Sequence, residues 1–150
     1  MTGDDLPDED HVVHYVKPSG VFEDGTINGS EFQLRAKRLD ETGVSVNWLE
    51  WFRELNKADQ LAEIRRLARV KLRKNGRFAE LNVGAVKAYV RGRVPEMAIQ
   101  HAPLDAEEGF EANPSHSEIT GLPPGNTEEA ELVGDMIAEC VSGIYPAKIE

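Results

Sequence analysis

The segment Asn113-Pro114-Ser115-His116-Ser117-Glu118-Ile119 is the best candidate for a site in this 150-residue chain, packing Ser, His and Glu between a predicted loop and a predicted strand. If its second half is a strand, His116 and Glu118 point to the same side, two residues apart, within reach of one ligand. A general acid–base pair needs that arrangement. No nucleophile elbow or other hydrolase signature surrounds the serines, so acyl transfer has no support. The ordinary alternative is a hydrogen-bonded turn that starts the strand.

A second constellation is basic. Arg66, Arg69 and Arg73 are spaced three and four apart inside an apolar helical pattern, so they share one flank of the predicted helix. Three guanidiniums on one face can hold a phosphate or an acidic partner bidentately. Residues 50–93 contain twelve of the seventeen Lys and Arg residues and five acids, whereas the rest of the chain holds five bases and twenty-two acids. Those acids are sufficient partners, and the flank therefore also reads as half of an intramolecular charge match. Nucleic acid is not favoured, because no aromatic side chains interleave the arginines and no binding motif is present. Another protein or a second copy of the chain is the preferred partner.

The histidines do not make a metal site. His11 and His14 are three apart on a predicted strand and so point to opposite faces. His101 and His116 flank predicted strands and could converge, but two ligands without a third do not hold zinc.

The order His14 on an early strand, Ser45 on a later one and Glu118 on a third loosely resembles the small ADP-ribosyltransferases. In that family an Arg or His, a Ser or Tyr, and a Glu occupy successive strands. The likeness covers these three positions alone. It implies a nucleotide-acting enzyme in which His14 contacts NAD, Ser45 shapes the nicotinamide pocket and Glu118 polarises the ribose hydroxyl, with His116 close by. Apart from NAD in that reading, no cofactor is indicated.

These residues need elements to position them. β-Branched and aromatic runs predict strands at 11–16, 32–34, 44–46, 77–82, 97–101 and 117–120. Ser19–Ser30, with Asp24-Gly25 and Asn28-Gly29, is turn chemistry, and 37–43 is a charged turn. Asn47 can cap a short helix over Trp48–Leu55. Leu61, Ile64, Leu67, Ala68 and Leu72 predict a helix from about Ala58 to Lys74, stopped by Asn75-Gly76. A short helix follows over Val83–Arg91. Thr127 caps a last helix whose apolar stripe runs from Leu132 through Cys140 to Ile144.

Strands interleaved with helices predict a single α+β domain over residues 11–150, with a mixed, mainly antiparallel sheet and helices on one face. Residues 1–10 read as a disordered acidic arm. No apolar run approaches the roughly 20 residues of a membrane span, the first ten residues lack the apolar core of a secretory signal, and the single Cys140 suits a reducing cytoplasm. The expectation is a small cytoplasmic interaction or regulatory module, with the nucleotide-acting enzyme and nucleic-acid binding through the basic helix as alternatives.

Overall fold

The computed structural model describes residues 3–35 and 43–149 and shows an α+β fold. Six strands form its sheet: β1 (His11–Val16), β2 (Gly43–Trp48), β3 (Arg77–Asn82), β4 (Ala98–His101), β5 (His116–Thr120) and β6 (Val141–Pro146). Their order is β4-β5-β2-β1-β3-β6. Every neighbouring pair is antiparallel, so the sheet is not mixed. Among the described residues three helices complete the fold, α1 (Lys57–Leu67), α2 (Val83–Val90) and α3 (Glu128–Glu139). Asn56, Asn82 and Thr127 cap them, each side chain accepting a hydrogen bond from a first-turn N–H. Such a cap contributes about 1 kcal/mol.

The helices lie on both faces rather than one, because the strands are apolar on both faces. Val12 and Val16 of β1, with Ala79 and Leu81 of β3, pack against Val83, Val86 and Val90 of α2 and Val133 and Ile137 of α3. On the other face Val13 and Phe78 pack against Leu61 and Ile64 of α1. A strand buried on both sides needs apolar residues at odd and even positions alike, and Val12-Val13 supplies them.

Several elements end elsewhere than local periodicity predicts. Helix α1 stops at Leu67, and Ala68 is already extended. Residues 68–76 instead run across the sheet face, with Leu72 against the second cluster and the Arg73 N–H donating to the Tyr15 hydroxyl. Phe32 lies in a 3-10 turn, Gly29–Phe32, not in a strand. Asn47 belongs to β2, and the helix predicted after it shrinks to a 3-10 turn at Leu49–Phe52. The last helix ends at Glu139 with Cys140 as its C-cap, and Val141 to Pro146 turn back as edge strand β6 on β3. The turn predicted over 37–42 lies outside the described residues.

The acidic arm does not trail away. Gly3 N–H donates to His101 O at 2.6 Å, Leu6 N–H to Ile99 O at 3.0 Å and His101 N–H to Asp4 O at 2.8 Å. The arm thereby covers the open edge of β4, whose backbone groups need partners. Leu6 is buried, and buried Asp10 accepts from Trp48 Nε1 at 2.9 Å.

Candidate functional site

Strands β1 and β2 stay in register for two residue pairs, Val12↔Trp48 and Val13↔Asn47, and then diverge. Divergence leaves backbone groups of β2 without a strand partner. The His14 ring answers this by donating from Nδ1 to the Ser45 carbonyl at 2.8 Å. A cavity of about 490 Å³ opens at the split, beneath the segment that follows α1. Ile64, Leu72 and Phe78 give it an apolar side; His14, Ser45, Asn47, Asn113 and His116 give it a polar one.

Register explains the polar wall. Ser45 pairs with Glu118 and Asn47 with His116, so these four side chains share the α1 face of the sheet. The structure thus brings His14, Ser45 and His116 to one cavity. Glu118 stands opposite Ser45 but is not part of the lining. His101 does not converge with His116: it pairs with Ser117 and so takes the opposite face. There its ring meets Trp48 and Trp51, with centroids 5.3 and 5.2 Å away. Among the described residues no group of three His, Cys, Asp or Glu side chains is placed to hold a metal ion.

Both cavity histidines are biased toward the neutral form. Burial pulls His116 below its ordinary 6.5, with the Arg69 charge adding to the effect and the Ala102 carbonyl and Glu118 opposing it. Burial likewise lowers His14, against its hydrogen bond to the Ser45 carbonyl and the Glu31 carboxylate. His116 Nδ1 lies 2.7 Å from the Ala102 carbonyl. A carbonyl only accepts, so Nδ1 carries the proton and Nε2 is left as a lone pair.

Next to His116 lies a polar cluster that local sequence did not reveal. Asn113 Nδ2 donates to Asn47 Oδ1 at 3.0 Å, and Ser115 Oγ donates to Asn113 Oδ1 at 2.7 Å. The Ser115 backbone N–H donates to the same Asn113 oxygen at 3.2 Å. The one legible hint was the alternation of Val44, Val46 and Trp48 with Ser45 and Asn47, which makes Asn47 a strand residue on the polar side.

The basic flank is not one helix face. Arg66 and Arg69 are not on one helix, since α1 ends between them, and Arg73 is exposed farther along the same irregular segment. Arg66 pairs with Glu63 and Glu111. Arg69 Nη2 donates to the carbonyls of Asp105 and Glu111 at 2.6 and 2.9 Å, with its guanidinium over the Phe110 ring at 5.5 Å. These contacts strap the acidic segment 104–113 onto the chain, closed at its base by the Leu104↔Asn113 bridge. Arg66 and Arg69 thus meet acids of the chain's own 104–113 segment, and Arg69 also lines the cavity. Arg69 Nε is the one buried side-chain nitrogen or oxygen among the described residues without a hydrogen-bond partner.

No protein-family model, curated protein or solved structure matches this chain. Among the described residues no helix is long and apolar enough to cross a membrane.

Proposed function

We propose that this domain binds a small anionic molecule in the cavity between β1, β2 and the segment after α1, with neutral His116 as the acceptor or base beside it. One observation carries the reading: among the described residues the lining holds Lys17, Arg35 and Arg69 against one carboxylate, Glu31, in a chain of net charge −10. Lys17 is matched by Glu31 at 2.5 Å. Arg69 donates from Nη2 to two carbonyls, which do not cancel its charge, and Glu107 lies 3.5 Å away on an exposed side chain. A positive cavity in an acidic protein attracts an anion and repels little else. A nucleotide, NAD included, is one such anion, and an unprotonated imidazole next to it is equipped to accept a proton.

The test is an NMR titration of the His116 ring nitrogens with inorganic phosphate and with AMP at low salt. Binding is expected to move the ring signals, to raise the His116 pKa and to weaken as salt is added. Unmoved His116 and His14 rings at millimolar AMP and phosphate would overturn it.

Docking of another protein, or of a second copy, has a separate observation in its favour. Val70 and Phe110 are exposed next to Arg69, an apolar patch beside charge. If Val70→Ser with Phe110→Ser leaves the sedimentation behaviour and co-purifying partners unchanged, that reading fails.

A further inference from the structure

We infer that the Asn47–His116 pair is a recognition site for a planar amide edge, a carbonyl acceptor adjacent to an N–H donor, as offered by a nucleobase or a carboxamide. The inference rests on the cavity being the ligand site, but not on the ligand's charge.

Two backbone groups determine what this pair presents. The Ser115 N–H can only donate, so the Asn113 atom that receives it is Oδ1. Asn113 therefore turns its Nδ2 toward Asn47, and the Asn47 atom that receives it must be Oδ1. That leaves Asn47 Nδ2, with two N–H donors, pointing away from the cluster. On the neighbouring strand the Ala102 carbonyl holds the proton on His116 Nδ1 and leaves Nε2 as an acceptor. Amide flips and imidazole tautomers are ordinarily ambiguous, and here both are fixed by main-chain partners.

Neither outward atom is spent. Asn47 Nδ2 and His116 Nε2 make no hydrogen bond to the described residues, yet neither belongs with Arg69 Nε as a sealed, partnerless nitrogen. Both therefore retain access to solvent, and both residues line the cavity. His116 is only 9% exposed, which makes its acceptor a narrow, directed one. Asn47 and His116 are direct cross-strand partners on one face, a relation that sets Cβ atoms about 5 Å apart. A donor and an acceptor held side by side at that spacing complement an acceptor and a donor on one planar group. The Phe78 and Ile64 side of the cavity supplies an apolar surface for the rest of such a ring.

The probe is 2-pyridone, the smallest aromatic ring with a lactam N–H beside its carbonyl, compared with N-methyl-2-pyridone. The wild-type protein is expected to bind 2-pyridone at millimolar concentration, with shifts at the Asn47 side-chain amide and the His116 ring. The N-methyl compound should bind about tenfold more weakly, because it leaves Nε2 without a donor. Equal affinity for the two compounds, or no shift of either residue by 2-pyridone, would overturn the inference. The comparison changes only the ligand, so it does not depend on a variant folding. Asn47→Asp, which keeps the oxygen that Asn113 and Ser115 use but removes the donors, should weaken binding of both compounds, since both present the carbonyl to which Asn47 Nδ2 donates. Competition by uridine or by nicotinamide then identifies the source as nucleobase or carboxamide. UMP binding no tighter than uridine would remove the anion reading while leaving the amide edge standing.

Discussion

Two polar networks sit on the same face of one sheet, and they differ in whether they close. At the β3–β6 side, Lys57 Nζ donates to Glu80 Oε1 at 2.5 Å, and the Tyr145 hydroxyl donates to the same oxygen at 2.9 Å. Lys57 also reaches the Tyr145 hydroxyl at 3.3 Å. Burial pulls the Lys57 pKa down, but the hydrogen bonds from Glu80 and Tyr145 outweigh it and hold the ammonium above its ordinary value. At the β2–β5 side, Asn47, Asn113 and Ser115 satisfy one another inwardly, while Asn47 Nδ2 and His116 Nε2 make no hydrogen bond to the described residues. A closed network holds the molecule together. An open one at a cavity is spare recognition capacity, since its donor and acceptor are held in place and can exchange water for a ligand.

The largest expected effect breaks the closed network. Lys57→Met should destabilise the fold by about 2 kcal/mol in urea unfolding. This lies below the roughly 3–5 kcal/mol of a fully buried pair, because the Lys57 side chain is 43% exposed and partly screened. Binding of 2-pyridone should be unchanged. A stable Lys57→Met variant with impaired binding would erase the distinction between the two networks.

Asn113→Ala should cost less stability, about 1.5 kcal/mol, through the lost partners of Ser115 N–H and Asn47 Oδ1. Its larger consequence is directional. With only the Ser115 hydroxyl, 3.3 Å away, left to hold its oxygen, Asn47 can flip, and binding of both compounds should weaken as its donors turn from the cavity. If binding is unchanged, Asn113 does not orient Asn47, and the two networks are equally closed.

Much of the framework of this comparison could be read from local sequence, and the comparison itself could not. Strands β1 and β3 and helices α2 and α3 follow from runs of Val, Phe, Leu and Ile with clear period and cap. Helix α1 is over-extended by periodicity because Leu72 keeps helical spacing with Leu61 while packing from an extended segment. The decisive contacts there, Arg69 to the carbonyls of Asp105 and Glu111, span 36 and 42 residues. Strand β6 hides because Cys140, Val141 and Ile144 continue the stripe of α3. At the site, His116 and Glu118 on one face, with Ser45 opposite, follow from period two once β2 and β5 pair. Asn47 reads as a helix cap because its true partners, Asn113 and Ser115, are 66 and 68 residues away. Long-range register creates the site, and register is what local pattern does not encode.

The smallest effect sharpens the contrast through pH. His14 and His116 have folded pKa values lowered from 6.5, chiefly by burial, whereas in the unfolded chain they titrate near 6.5. Below that pH the unfolded chain takes up protons that the folded protein resists, so stability falls as the unfolded state binds more protons. The stability is therefore complete above about pH 6.5 and declines as pH drops toward the folded values, by at most about 1.4 kcal/mol per pH unit for each imidazole. Carboxylates titrate at lower pH and add their own slope, so the informative quantity is the difference between wild type and His116→Gln. The groups facing the two rings predict which way each is steered: Arg69 pushes His116 further down while Glu118 lifts it, and Glu31 lifts His14 against Lys17. Urea midpoints measured from pH 7.5 to pH 5 should fall less steeply in His116→Gln than in wild type. An anion bound beside His116 should flatten the wild-type slope in the same way, because it favours the protonated ring in the folded state. No comparable flattening is expected from Lys57→Met, because the ammonium it removes stays charged throughout this range. Identical slopes in wild type and His116→Gln would mean that the ring is not held neutral, and the open network would lose its acceptor.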